Sequence, residues 1–167
     1  WGLLRLGLGE QAPGLVLENS LYYGDHGKPY LTGGPFFSLS HTKGLVLCAI
    51  ESQEVGVDAE YYGRRFSQRL RERAFTGRER LLAGQSPVPN EAFTALWTLK
   101  ESYMKFTGKG LSLGPGSMGF SSLGEGPELE SVAACFRHTR WKSWHIAACM
   151  AQPFTLELHP VGISTVG

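Results

Sequence analysis

Cysteine is scarce in this chain: Cys48, Cys135 and Cys149 are the only three, each among apolar neighbours (VLCAI, AACF, AACM). No two stand in a C-x-x-C spacing, which excludes a zinc framework and a paired redox motif, and unpaired buried thiols suit a reducing, cytoplasmic setting. A charge excess is also missing. Sixteen Lys and Arg against fifteen Asp and Glu leave a formal net charge of +1, which argues against wholesale wrapping of nucleic acid. Long apolar runs are absent too, so no stretch approaches the ~20 residues of a membrane helix. The opening WGLLRLGLGEQAPG is too rich in glycine, and too short in its apolar run, for a signal peptide. It begins with Trp rather than Met, so the chain reads as either cut from a longer one, with an upstream segment absent, or disordered at its start.

What is present is a chain of 167 residues, long enough to bury a core without staples. Residues 1 to 24 are weakly patterned and suggest at most one edge strand. GDHGKPYLTGGP, from Gly24 to Pro35, reads as loop or turn from its glycines and prolines. PFFSLSH is extended and leads to an apolar strand at Leu45–Ser52. VGVDAE, Val55–Glu60, follows at a hairpin-like distance. Seven arginines crowd Arg64 to Arg80. Phe66, Leu70 and Arg73 fall in one row there, which predicts an amphipathic helix whose other faces are basic, either a solvated surface or a docking face for an acidic partner. After a loop at Ala83–Asn90, a helix capped by Asn90 is expected to run to a glycine stop at Gly108, with an apolar stripe of Phe93, Leu96, Leu99, Tyr103 and Phe106. LSLGPGSMGFSSLGEGPE is loop-rich with brief strand character. Two late strands are expected near Leu129–Arg137 and Trp144–Met150, joined by HTRWKS.

VGVDAE carries the first chemical question. Alternation with a period of two sends Val55, Val57 and Ala59 to one face and Gly56, Asp58 and Glu60 to the other. Two carboxylates side by side repel unless something positive lies near. A hard divalent cation such as Mg²⁺, which takes oxygen ligands, is one answer; an exposed acidic strand end is the other. On the long helix Trp97, Glu101 and Lys105 recur every four residues and share a side. Glu101 is thus a candidate third oxygen ligand, and Lys105 a candidate partner for a phosphate, although the two also suit an ordinary helical ion pair.

In order, GKP (Gly27–Pro29), FFSLSHTKGLVLCAI, VGVDAE, FTGRE and LWTLKESYMKFTGKGLSL resemble the motifs of the 4′-phosphopantetheinyl transferases, of the larger, pseudo-dimeric Sfp-like type. The resemblance covers roughly Gly27 to Met150. The D-x-E paired with a downstream W-x-x-K-E-x-x-x-K is what makes it specific. It implies an α+β fold of two similar halves with coenzyme A between them, the second half complete and the first abbreviated: residues 1–52 as a shortened first lobe, residues 53–167 as a second lobe carrying the metal site and catalytic helix.

The resemblance further implies that Asp58, Glu60 and Glu101 bind Mg²⁺ with the pyrophosphate of coenzyme A. Glu101 and Lys105 would be catalytic, Lys105 also touching the pyrophosphate, and Lys100 would lie toward phosphate. Ser40 and His41, in SLSH, would face the nucleotide phosphates, and Lys28 and Pro29 the adenine end. Glu79 in FTGRE would stand near the metal site. The expected activity is transfer of phosphopantetheine from coenzyme A to a serine of an acidic acyl or peptidyl carrier protein, making its holo form. A cytoplasmic monomer that binds neither nucleic acid nor membrane is expected. Only about 37 residues precede SLSH, Arg5 is the sole basic residue before Lys28, and Ala59 takes the place of a bulkier branched residue. These departures keep two rivals in view: a non-catalytic coenzyme A-binding relic of the family, and a small Mg²⁺-dependent nucleotide pyrophosphohydrolase.

Overall fold

Leu4 and Leu8 stand one helical turn apart. In the computed structural model, which describes residues 1–123, 126–130 and 132–162, the segment around them is helix α1 (Gly2–Gln11) rather than an edge strand. Both leucines are buried against Leu17, Leu31 and Phe37, and this packing outweighs the weak helix propensity of a glycine-rich segment. Helix α2 (Leu17–Ser20) leads into strand β1 (Leu21–Tyr23), which pairs antiparallel with β2 (Pro29–Leu31). The turn expected at Gly24–Pro35 therefore contains a strand, and Gly27, at φ 82°, lets the chain reverse.

Strands β3 (Phe36–Thr42) and β4 (Leu45–Glu51) form an antiparallel hairpin. The hairpin expected between β4 and the next strand, β5 (Val55–Tyr61), does not form. β5 pairs instead with β7 (Trp144–Met150), whose other edge holds β6 (Cys135–Trp141), in the order β5-β7-β6. β5 also lies along β3, joined to it by side chains. The Ser38 hydroxyl accepts the Val57 N–H at 3.0 Å and the Ser40 hydroxyl accepts the Ala59 N–H at 3.1 Å.

The basic stretch makes two short helices, α3 (Gln68–Ala74) and α4 (Gly77–Gly84), not one. Thr76 and Glu79 form a capping box that starts α4 afresh: Glu79 donates its N–H to the Thr76 hydroxyl at 3.2 Å, and Thr76 its N–H to the Glu79 carboxylate at 2.8 Å. Helix α5 (Pro89–Thr107) begins at Pro89, one residue before the expected Asn90 cap, and stops at Gly108, φ 68°. Two turns of 3₁₀ helix, Gly110–Leu113 and Pro115–Ser117, follow. Strand β6 starts later than the expected Leu129, although Leu129 does bridge to Phe120. Gly124, Glu125 and Ser131, on which parts of those two expectations fall, lie outside the described residues.

The fold is α+β, as the sequence implies. α5 packs on one face of the β5-β7-β6 sheet, burying Leu96 and Leu99 against Ala147 and Cys149. The other face, Val55, Val57, Ala148 and Met150, is covered by Leu47 and Ala49 of β4 and by Phe154 and Leu156 of the C-terminal stretch. No described helix is long and apolar enough to cross a membrane.

Candidate active site

Strand alternation turns Asp58 and Glu60 toward α5, and the 3.6-residue turn brings Glu101 and Lys105 to meet them. Asp58 is 4% exposed. Its Oδ1 accepts hydrogen bonds from the Ser40 hydroxyl and from Lys105 Nζ, both at 2.8 Å. Its Oδ2, equally buried, has no hydrogen-bond partner. Burial pushes the Asp58 carboxyl above its ordinary range, with Lys105 and Ser40 pulling the other way. Glu60 is raised by burial and by Asp58, and it is ion-paired with Arg64. Burial, then the charge of Asp58, pushes the Glu101 carboxyl up to about 7, with Lys105 opposing and Glu60 adding to the rise.

The three carboxyl groups therefore lie within one another's fields. No preformed cluster of three His, Cys, Asp or Glu side chains in metal-holding geometry occurs among the described residues; an ammonium and a guanidinium neutralise Asp58 and Glu60 instead. The donor set nevertheless fits a hard cation, because Asp58 keeps an orphaned oxygen and the Glu101 carboxyl, a weaker acid than usual, makes no side-chain hydrogen bond among the described residues.

A cleft of about 370 Å³ opens beside these groups, between the His26–Pro29 and Phe37–Leu39 segments on one side and Glu101, Met104 and Lys105 on the other. Lys28 and Pro29 are in its wall, but the Lys28 ammonium points into the protein. It donates to Glu54 at 2.6 Å, to the Phe106 carbonyl at 3.2 Å and to the Val55 carbonyl at 3.3 Å, tying the end of α5 to the start of β5. Lys105 keeps 30% of its side chain exposed at the cleft while holding Asp58. His41 is exposed near the β3–β4 turn.

Ser40 is buried, its hydroxyl spent on Asp58 and the Ala59 N–H. That linking role of Ser38 and Ser40 was not read from the sequence, although their spacing of two puts both on one strand face.

Lys100 and Glu79 lie elsewhere. Lys100 is fully buried and donates to the Ala74 carbonyl at 2.7 Å, to Glu79 at 2.6 Å and to the Pro115 carbonyl at 2.8 Å. Its protons are directed to protein acceptors, so the phosphate contact implied for it is not what this geometry offers. Glu79 is equally buried and also accepts the Phe120 N–H at 3.1 Å. Near them a groove of about 700 Å³ runs between α3 and the 110–117 loop, edged by Arg69, Arg73, Leu70, Trp97 and Pro115. Trp97 supports the core there, edge to face with Phe75 at 6.4 Å. Arg65, Arg69 and Arg73 are exposed and form no ion pair among the described residues.

The family model of the 4′-phosphopantetheinyl transferase superfamily matches residues 54–159. Among similar proteins, 4′-phosphopantetheinyl transferase Sfp of Bacillus subtilis is 38% identical over 93 residues, 53% of this chain and 41% of that protein. The L-aminoadipate-semialdehyde dehydrogenase-phosphopantetheinyl transferase of Saccharomyces cerevisiae is 35% identical over 143 residues, 71% of this chain and 50% of its own. A further 4′-phosphopantetheinyl transferase of Bacillus subtilis is 31% identical over 139 residues, 77% and 62% of the two chains. The alignments span about half the length of these relatives.

Proposed function

This chain belongs to the 4′-phosphopantetheinyl transferase superfamily, and from that premise we propose that it moves the 4′-phosphopantetheine arm of coenzyme A to a serine hydroxyl of an apo carrier protein, in the manner of the larger Sfp-like members. Residues 1–52 act as part of a first lobe and residues 53–167 as the lobe carrying the chemistry. The observation that carries the reading is the cleft whose two walls are the Gly27–Pro29 turn and the Glu101–Lys105 turn of α5.

Asp58 through its free Oδ2, Glu60 and Glu101 are the residues that would hold Mg²⁺. When bound, that ion offsets the negative charge of the pyrophosphate and of the departing group. Lys28 and Pro29 line the adenine end by their place in the wall, and His41, exposed near the β3–β4 turn, is assigned to the nucleotide phosphates. Ser40 acts from behind, fixing Asp58. Lys105 presents its ammonium to the pyrophosphate, where negative charge grows as the bond breaks. Glu101, in the wall of the cleft, takes the serine proton directly or through a water. The serine oxygen bonds to the β-phosphorus, the bond from that phosphorus to the bridging oxygen breaks, and 3′,5′-adenosine bisphosphate leaves. The exposed Arg65, Arg69 and Arg73 suit an acidic carrier, whose encounter they would speed. Three unpaired cysteines, with Cys149 buried, fit a cytoplasmic setting.

A second reading, a coenzyme A-binding relic, is favoured by one observation: Lys28, in the wall of the cleft, spends its ammonium on acceptors inside the protein. The test is the intact mass of an acidic apo carrier after incubation with this chain, coenzyme A and Mg²⁺. A gain of one phosphopantetheine that disappears with EDTA supports transfer. No gain, with coenzyme A still bound in equilibrium dialysis, supports the relic, and release of a cleaved nucleotide without any carrier supports a pyrophosphohydrolase.

A further inference from the structure

The Lys100–Glu79 pair is the one fully buried ion pair among the described residues, and the transfer chemistry has no use for it. Its place is informative. The Lys100 ammonium reaches three separate elements at once: the last residue of α3 through the Ala74 carbonyl, the first turn of α4 through Glu79, and the 110–117 loop through the Pro115 carbonyl. α3 and that loop are the two walls of the 700 Å³ groove. They also meet directly, for a Cβ at Gly116 would stand 2.3 Å from the Arg73 carbonyl oxygen. Leu111 of the same loop, 68% exposed, lines both the groove and the cleft beside Lys105. Leu111 is thus where the groove and the cleft meet.

We infer that Lys100 is a positioning residue for the acceptor: it fixes the separation of α3 from the 110–117 loop, and so shapes the groove in which the acidic carrier is seated next to the cleft. This rests on the transfer reading above, and it gives Lys100 a part in recognising the protein substrate rather than coenzyme A. Arg69 and Arg73 on the rim supply the charge complementarity that selects an acidic occupant. The apolar floor, Leu70, Ala74 and Trp97, takes its side chains.

Removing Lys100 alone would leave Glu79 buried without a counter-ion, so the pair is replaced together, as Lys100→Met with Glu79→Gln. Gly116→Ala is the independent second variant: it pushes the loop off α3 and touches no charge. Each is expected to raise the KM for the carrier on the order of tenfold while leaving the KM for coenzyme A within about twofold, because a wall displaced by an ångström misplaces only the acceptor. Amide hydrogen exchange in residues 110–118 should speed up in both. A coenzyme A KM that rises as far as the carrier KM would return Lys100 to the phosphates and overturn the inference. Unchanged exchange in the loop would overturn it as well. Should the unmodified protein transfer nothing to any carrier, it is the transfer reading that fails, and the exchange measurement still decides whether Lys100 holds the groove.

Discussion

Gly56 sits two residues before Asp58 on the same face of β5, where α5 comes closest to the sheet. A Cβ there would lie 2.0 Å from the Ser102 carbonyl oxygen, 2.3 Å from the Phe106 nitrogen and 2.8 Å from the Phe106 Cα, all backbone atoms of the helix. Ordinary contact begins at 3.4 Å, so Gly56→Ala demands a helix shift of about 1.4 Å, the difference between 3.4 and 2.0. The helix is not free to tilt away, since Lys28 grips both the Phe106 and the Val55 carbonyls. The same shift would stretch the 2.8 Å contact between Lys105 and Asp58 beyond hydrogen-bond reach. Overpacking of this kind costs about 1–3 kcal/mol, and a charged hydrogen bond about 1.5–3 kcal/mol. A total of about 2.5–6 kcal/mol lowers Tm by about 5–24 °C for a chain of this size. Turnover should fall on the order of a hundredfold, because the reacting groups are misplaced by more than an ångström. Thermal unfolding followed by circular dichroism and the carrier mass assay read the two effects. Gly9→Ala is the control. Nothing lies within 4 Å of its Cβ, and it should hold or raise Tm by its gain in helix propensity. A Gly56→Ala protein with unchanged Tm and turnover would refute the packing of α5 on β5 that the whole site depends on.

Glu101 gives a pH test. Its folded-state constant near 7 lies above the ordinary 4.5, so the native protein holds that proton more tightly, and stability falls as pH rises from about 4.5 to 7. Glu101→Gln should abolish transfer yet stabilise the metal-free protein above pH 7, by at most about 3 kcal/mol, with no gain near pH 4.5; an unchanged Tm at pH 8 would mean the three acids do not converge. His138 and His145 behave in the opposite sense. Their rings stack at 5.2 Å, and burial holds both constants down to about 4, so the unfolded chain takes up the protons first and stability drops as pH falls below about 6.5. Replacing both with phenylalanine should flatten that acid limb in urea titrations, and an unaltered limb would place the acid sensitivity elsewhere. Charge reversal of Arg69 and Arg73 to glutamate should raise the carrier KM on the order of tenfold, more at low salt, and leave the coenzyme A KM alone; equal small effects would make α3 a merely solvated face.

The strands β3, β4, β5 and β7 and the long helix α5 were legible because their periods are clean and each is long enough to dominate its neighbours. α1 was not, since LLRLGLGE satisfies a strand pattern about as well as a helix, and what decides is Leu31 and Phe37 waiting to bury Leu4 and Leu8. The partner of β5 was not legible either. Sequence distance favoured β4, whereas the true neighbour begins at Trp144, and pairing across such a separation leaves no local trace. The split of the basic stretch was written in the chain: T-x-x-E at Thr76–Glu79 is a helix start. Of the site, the row Glu101, Lys105 and the face Asp58, Glu60 followed from spacing alone. Lys100 did not, because adjacent helical residues point about 100° apart, and only the placement of α3 and the 110–117 loop reveals what waits on that side.

The paired acids of VGVDAE now have a physical answer that does not need a single counter-charge. Asp58 and Glu60 are each given their own cation from a different element, Lys105 from α5 and Arg64 from the segment after β5. Glu101, the third acid, is left without one, and its carboxyl takes up the strain by holding its proton more tightly. The two cations are not equivalent. Arg64 is stacked over Phe66 and Trp97, with its guanidinium 5.1 and 4.9 Å from their ring centres, so it is fixed by packing as well as by charge. Among the described residues Lys105 is held by Asp58 alone, and it lies at the open cleft. It is therefore the cation whose partner can change when an anion enters, while Arg64 keeps Glu60 in place. That asymmetry suits Lys105 to the role proposed for it at the pyrophosphate and ties Arg64 to the fold.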